Sequence, residues 1–118
     1  MRVLAFEDSY DIEALLRAGN IDTNRFTIEQ QWDSKEAIGK IKEFKPDILL
    51  LDHFMPPTKG LDLLKVIIKA VEDDDLVRPQ TIIGISSAGF ANQAMVSAGA
   101  DNAITKFDIA TLEIWSEN

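Results

Sequence analysis

Apolar and polar positions along the chain follow two alternating rhythms. Short strand-like runs fall at 2–6, 26–31, 47–51, 81–86 and 102–105. Between them, apolar residues recur every three or four positions, as on one face of a helix. Ile12, Leu15 and Leu16 mark a first helix, with Gly19 where a helix stops. Ala37, Ile38, Ile41 and Phe44 mark a second; Asp33 can cap its start, with Glu36 three residues on in the capping-box position. Leu64, Ile67, Ile68 and Val71 mark a third. Ala91, Ala94, Met95 and Ala98 mark a fourth, ahead of Gly99. Thr111, Leu112 and Trp115 suggest a short fifth. Five strands alternating with five helices predict an α/β fold, a five-stranded parallel sheet with helices on both faces. No linker, repeat or low-complexity stretch interrupts the pattern, so residues 1–118 read as one domain.

Several strand-like runs end on groups that carry chemistry. Glu7 and Asp8 follow the first, Asp52 follows Ile48-Leu49-Leu50-Leu51, Ser86 closes the fourth and Lys106 follows the fifth. In a parallel sheet these ends point the same way, toward the edge where open α/β sheets place ligands. Three carboxylates gathered there repel one another unless a cation sits among them, and Mg²⁺ is the natural hard-cation partner for Glu7, Asp8 and Asp52. A carboxylate so placed can also act as a nucleophile toward phosphorus. Ser86 would offer a hydroxyl to a phosphoryl oxygen, and Lys106 a compact cation to another.

Composition narrows the classes. The 118 residues are 46% hydrophobic and 27% charged, as in globular domains. No apolar stretch reaches membrane-spanning length and Met1 opens no signal-peptide pattern, so a cytoplasmic protein without membrane contact is expected. With no cysteine, disulfides and thiolate metal sites are excluded. A net charge of −8 argues against nucleic-acid binding. The run Glu72-Asp73-Asp74-Asp75 reads as a solvated helix end.

The chain resembles the receiver domain of bacterial two-component response regulators. The resemblance covers nearly all of it: Glu7-Asp8, Asp52, Met55-Pro56 and Gly60, Ser86, Gly99-Ala100 and Lys106, in that order on those elements. It implies a flavodoxin-like sheet of strand order 2-1-3-4-5. It also implies that Asp52 is the phosphoacceptor, taking a phosphoryl group from a sensor histidine kinase or phosphotransfer protein. Mg²⁺ would be bound by Glu7, Asp8, Asp52 and the backbone carbonyl of Phe54. The signal would pass by conformational change to a downstream protein partner, with a homodimer through the helix 4–strand 5–helix 5 face as a further outcome. A purpose as an enzyme is not expected. Three departures stand out. Phe107 follows Lys106 where most receivers have proline, Ala103 stands where the family often has an aromatic ring, and the fifth helix is short.

Other readings compete. A pseudo-receiver would use the same fold as an unphosphorylated interaction module; Ala103 and Phe107 favour it, and the intact acidic set opposes it. A flavodoxin-like cofactor binder needs a loop after the first strand that welcomes phosphate, whereas Glu7-Asp8-Ser9-Tyr10-Asp11 is acidic. An aspartyl-nucleophile phosphatase needs an acid two residues after Asp52, where Phe54 stands. His53 should point away from Asp52, because neighbouring strand residues face opposite sides. Trp32 and Trp115 read as packing or partner-surface residues, and Phe90 and Met95 as core or docking surface. Gly84 weakens its strand unless something packs closely against it.

Overall fold

In a computed structural model, residues 1–87 and 89–116 are described, with Phe90 as backbone only. The five strands are β1 (Arg2–Phe6), β2 (Thr27–Gln31), β3 (Ile48–Asp52), β4 (Thr81–Ser86) and β5 (Asn102–Thr105). They form one parallel sheet in the order β2-β1-β3-β4-β5. The helices are α1 (Ile12–Ala18), α2 (Ala37–Phe44), α3 (Gly60–Glu72) and α4 (Gly89–Ser97).

Strand alternation divides the core into two layers. Leu4, Phe6, Leu49, Leu51 and Ile82 face α2, α3 and α4, meeting Ile41, Leu64, Ile67 and Met95. Val3, Ala5, Leu50, Ile83 and Ile85 face the other way, onto Ile12 and Leu16 of α1 and onto Ile109 and Trp115. β3 is buried at every position, which explains its unbroken apolar run. β2 is an edge strand and is nowhere fully buried. Gly84 acquires a reason here: a Cβ at that position would lie 2.8 Å from Cβ of Met95, so glycine lets α4 settle directly on β4.

Two expectations are corrected. Asp33 does not cap α2. Its carboxylate accepts from the N–H of Lys35 at 2.9 Å, and the helix starts after Glu36, which lies at φ 52° with no side-chain cap bond. The cause is Ser34, which is tied to the loop after β3. Its N–H donates to the carbonyl of Pro56, while its hydroxyl accepts from the N–H of Thr58 and donates to the Thr58 carbonyl.

The fifth helix is not an α-helix. Residues Lys106–Thr111 and Glu113–Trp115 form two 3₁₀ turns. Lys106, Ile109, Leu112 and Trp115 are spaced by three, the repeat that brings side chains into line on a 3₁₀ turn, and all but the partly buried Leu112 are buried. The indole N–H of Trp115 donates to the carbonyl of Ile109 at 2.8 Å, and its ring meets Phe26 edge-on. Trp115 is therefore core. Met95 is also core, Trp32 is 52% exposed, and the Phe90 side chain lies outside the described residues.

Candidate functional site

The parallel register brings the carboxyl ends of β1, β3, β4 and β5 to one edge. Leu51 pairs with Phe6, so Glu7, the next residue, comes level with Asp52. Asp52 pairs with Ile85 and Ser86 with Thr105, which sets Ser86 and Lys106 one step beyond. Glu7, Asp52 and Ser86 are buried, and Lys106 is only 5% exposed. Oxygen atoms of Glu7, Asp8 and Asp52 lie within 4.8 Å of one another.

Lys106 contacts two members of this group. Its Nζ donates to Oε1 of Glu7 at 2.8 Å and lies 3.7 Å from Oδ2 of Asp52. The other Glu7 oxygen, Oε2, accepts from the N–H groups of Ser9 and Tyr10, each at 2.8 Å. The ring of Tyr10 lies 5.3 Å from the Lys106 ammonium and meets Phe107 edge-on. The N–H of Phe54 approaches Oδ1 of Asp52 at 3.4 Å. Gly60 closes the loop over the strand end. A Cβ there would run into the backbone carbonyl of Asp52, so only glycine lets α3 start so near.

Burial and mutual repulsion divide the two buried acids. Burial pushes the Asp52 carboxyl up; the charge of Glu7 and a shared hydrogen bond with it push further, and Lys106 only partly offsets them, leaving Asp52 at about 7. Burial would raise Glu7 as well, but the hydrogen bonds from Lys106, Tyr10 and Ser9 outweigh it and hold Glu7 below the ordinary carboxylate range. For Lys106, burial acts downward, yet Glu7, Asp52 and Asp8 carry it above its ordinary value. The site thus holds a proton on Asp52 to neutral pH when no cation is present. With Asp52 ionised, three carboxylates bring three negative charges and Lys106 returns one. The remainder is what a divalent cation neutralises, and oxygen-only donors suit Mg²⁺.

Every residue singled out at the strand ends sits at this edge. His53 does not join them: its ring packs against Phe54, and burial together with Lys59 lowers its pKa against the pull of Asp62. Among the described residues, the acidic run at the end of α3 forms the exposed pairs Lys42–Asp75 and Lys69–Asp73. One participant escaped sequence reasoning. Gln30 on β2 donates from Nε2 to the carbonyls of Glu7, at 3.0 Å, and Tyr10, at 2.8 Å, and accepts from the N–H of Ile12 at 2.9 Å. Its signal was a polar residue two positions after Ile28, on the side of the edge strand where a further apolar residue would be expected.

A parallel α/β domain with a buried lysine among clustered carboxylates at the carboxyl edge of its sheet defines a narrow class. The chain belongs to the response regulator receiver domain family, whose model matches residues 3–113. It is 32% identical over 109 residues to the chemotaxis protein CheY of Thermotoga maritima, covering 89% of this chain and 84% of that protein. It is 26% identical over 106 residues to the transcriptional regulatory protein TrcR of Mycobacterium tuberculosis, covering 90% of this chain but only 39% of TrcR. Among solved structures it resembles the receiver domain of the histidine kinase CKI1 from Arabidopsis thaliana complexed with Mg²⁺ and BeF₃⁻. The TM-score is 0.71, with 23% identity over 98% of this chain and 90% of that one. Among the described residues, no helix is long and apolar enough to cross a membrane.

Proposed function

We propose that the chain is a phosphoacceptor of a two-component system, taking a phosphoryl group on Asp52 from the phosphohistidine of a sensor kinase or phosphotransfer protein. The observation that carries this reading is the Lys106 ammonium, 2.8 Å from Glu7 and 3.7 Å from Asp52, in a group where oxygens of Glu7, Asp8 and Asp52 lie within 4.8 Å of one another. Glu7, Asp8, Asp52 and the Phe54 carbonyl would hold Mg²⁺. Bound there, the ion supplies charge neutralisation for the incoming phosphoryl oxygens.

The chain's own groups account for the rest. A carboxylate oxygen of Asp52 attacks phosphorus; the P–O bond forms, the P–N bond breaks, and the leaving imidazole nitrogen keeps the bonding pair. Because Asp52 sits at about 7 without a cation, the attacking form is its carboxylate, the proton passing to solvent as a cation binds. Lys106, held by Glu7, is placed to meet a phosphoryl oxygen once the Asp52 charge is spent on the new bond, and Ser86 would donate its hydroxyl to another. The outcome is a change in preferred conformation passed on by protein contact. No enzymatic purpose and no contact with membrane or nucleic acid is assigned, and a cytoplasmic setting is proposed. The α4–β5 face, continued by the 3₁₀ turns, is the surface assigned to the downstream protein or a second copy.

The test is incubation with Mg²⁺ and a small phosphodonor such as acetyl phosphate. Acid-stable, base-labile phosphate that is absent from Asp52→Asn is the expected result. No label on the wild type under saturating donor would favour the pseudo-receiver reading, which Ala103 and Phe107 support.

A further inference from the structure

We propose that Gln30, on the edge strand outside the acidic cluster, is a positioning residue for that cluster. The proposal rests on the Mg²⁺-dependent reading above. The loop from Glu7 to Ile12 carries two of the three carboxylates, yet Ser9, Tyr10 and Asp11 are exposed, and the ring–ring contact they make is the edge-on one between Tyr10 and the exposed Phe107. A turn bearing clustered like charges tends to spread unless its backbone is tied down. Gln30 ties it at three points. Its amide nitrogen bridges the carbonyls of Glu7 and Tyr10, the two ends of the turn, and its amide oxygen takes the N–H of Ile12, the first residue of α1.

Closing the turn in this way has two effects on the site. The N–H groups of Ser9 and Tyr10 are both aimed at Oε2 of Glu7, which leaves Oε1 for Lys106. The ring of Tyr10 is also set over the Lys106 ammonium. The hydrogen bonds of the Gln30 side chain all run to backbone groups, so it acts through the backbone of the residues that would bind the ion. Glutamine suits the position: a carboxylate could not donate to two carbonyls, and asparagine is one methylene shorter. The neighbouring Gln31 shows the contrast, since its Nε2 reaches only Oε2 of Glu29 at 3.2 Å, away from the loop.

The test replaces Gln30 by methionine, which keeps the length and removes all three hydrogen bonds, and uses Gln31→Met as the control. Mg²⁺ is titrated calorimetrically into each folded protein, and amide exchange is measured in chelator. Outer partners of metal ligands typically carry about tenfold to a hundredfold in affinity. Gln30→Met is expected to weaken Mg²⁺ binding at least about tenfold on that scale. It should also speed exchange at Ser9 and Tyr10 as well as Ile12, and excess Mg²⁺ should recover Asp52 labelling. Gln31→Met should match the wild type. The proposal is overturned if Gln30→Met binds Mg²⁺ like the wild type, or if Gln31→Met loses as much. A wild type that takes no Mg²⁺ would overturn the underlying reading and the inference together, and would show at the first titration.

Discussion

Replacing Asp52 by asparagine should stabilise the metal-free protein, and should do so increasingly as pH rises. Asp52 is 2% exposed and its folded-state carboxyl lies at about 7, whereas an unfolded aspartate titrates near ~3.9. A carboxyl raised by folding means that the native state binds more protons than the unfolded state between those two values. Stability must therefore fall as pH rises through that window, and the penalty is complete above pH ~7. Glu7 acts in the opposite sense, because its carboxyl is held below the ordinary value; its contribution is lost only as pH falls below the ordinary carboxylate range, outside the window. The gap of about three for Asp52, at ~1.4 kcal/mol for each, bounds the effect near ~4 kcal/mol. Local relaxation and water entry reduce it, so ~2–4 kcal/mol is expected. Asparagine keeps the shape and a donor for Glu7 while never acquiring charge. The assay is urea unfolding in chelator from pH 4.5 to 8.5, followed by tryptophan fluorescence. The two proteins should converge at the acid end and diverge toward pH 8, and Mg²⁺ should then narrow the gap by stabilising only the wild type. Parallel profiles across the whole range would refute the crowding of charge at Asp52.

Lys106→Met leaves Glu7 and Asp52 buried without their cation; unfolding above pH 5 should show a loss of ~3–5 kcal/mol, and Asp52 labelling should fall severely. Wild-type stability in Lys106→Met would remove the ion pair from the reasoning. Gly60→Ala drives a methyl group into the Asp52 carbonyl, so a loss of at least ~2 kcal/mol, together with weakened Mg²⁺ binding, is expected by urea titration and calorimetry. Trp115→Ala empties a buried site against Phe26 and should cost ~3–5 kcal/mol, with the fluorescence that remains, from exposed Trp32, red-shifted.

The parts of the molecule that a local pattern encodes were legible in the sequence. β3 and β4 are runs of buried apolar residues, and α3 and α4 keep their apolar side at helical spacing, so a parallel sheet and the convergence of Glu7, Asp8, Asp52, Ser86 and Lys106 followed from the pattern, while the strand order came from the family resemblance. What escaped depended on contacts between distant segments. The start of α2 is decided by Ser34 bonding to Pro56 and Thr58, more than twenty residues away, and this partner overrides a capping sequence that is sound in isolation. The turns after β5 did carry a signal, a spacing of three, but four residues at that spacing resemble a frayed helix until Trp115 is seen bonded to Ile109.

The same distinction separates the groups that perform chemistry from those that hold them. A nucleophile, a cation or a metal ligand is fixed by residue type, because few side chains can do its work, so each stands out at a strand end. A positioning residue is fixed by geometry. Gln30 works through two carbonyls and one N–H that any sequence would supply, and only the pairing of β1 with β2 brings its amide level with the turn after Glu7. Its one mark in the sequence is a polar side chain where the alternation after Ile28 calls for an apolar one. Polar interruptions of that kind, on edge strands beside a charged loop, are where the supports of such a site should be sought.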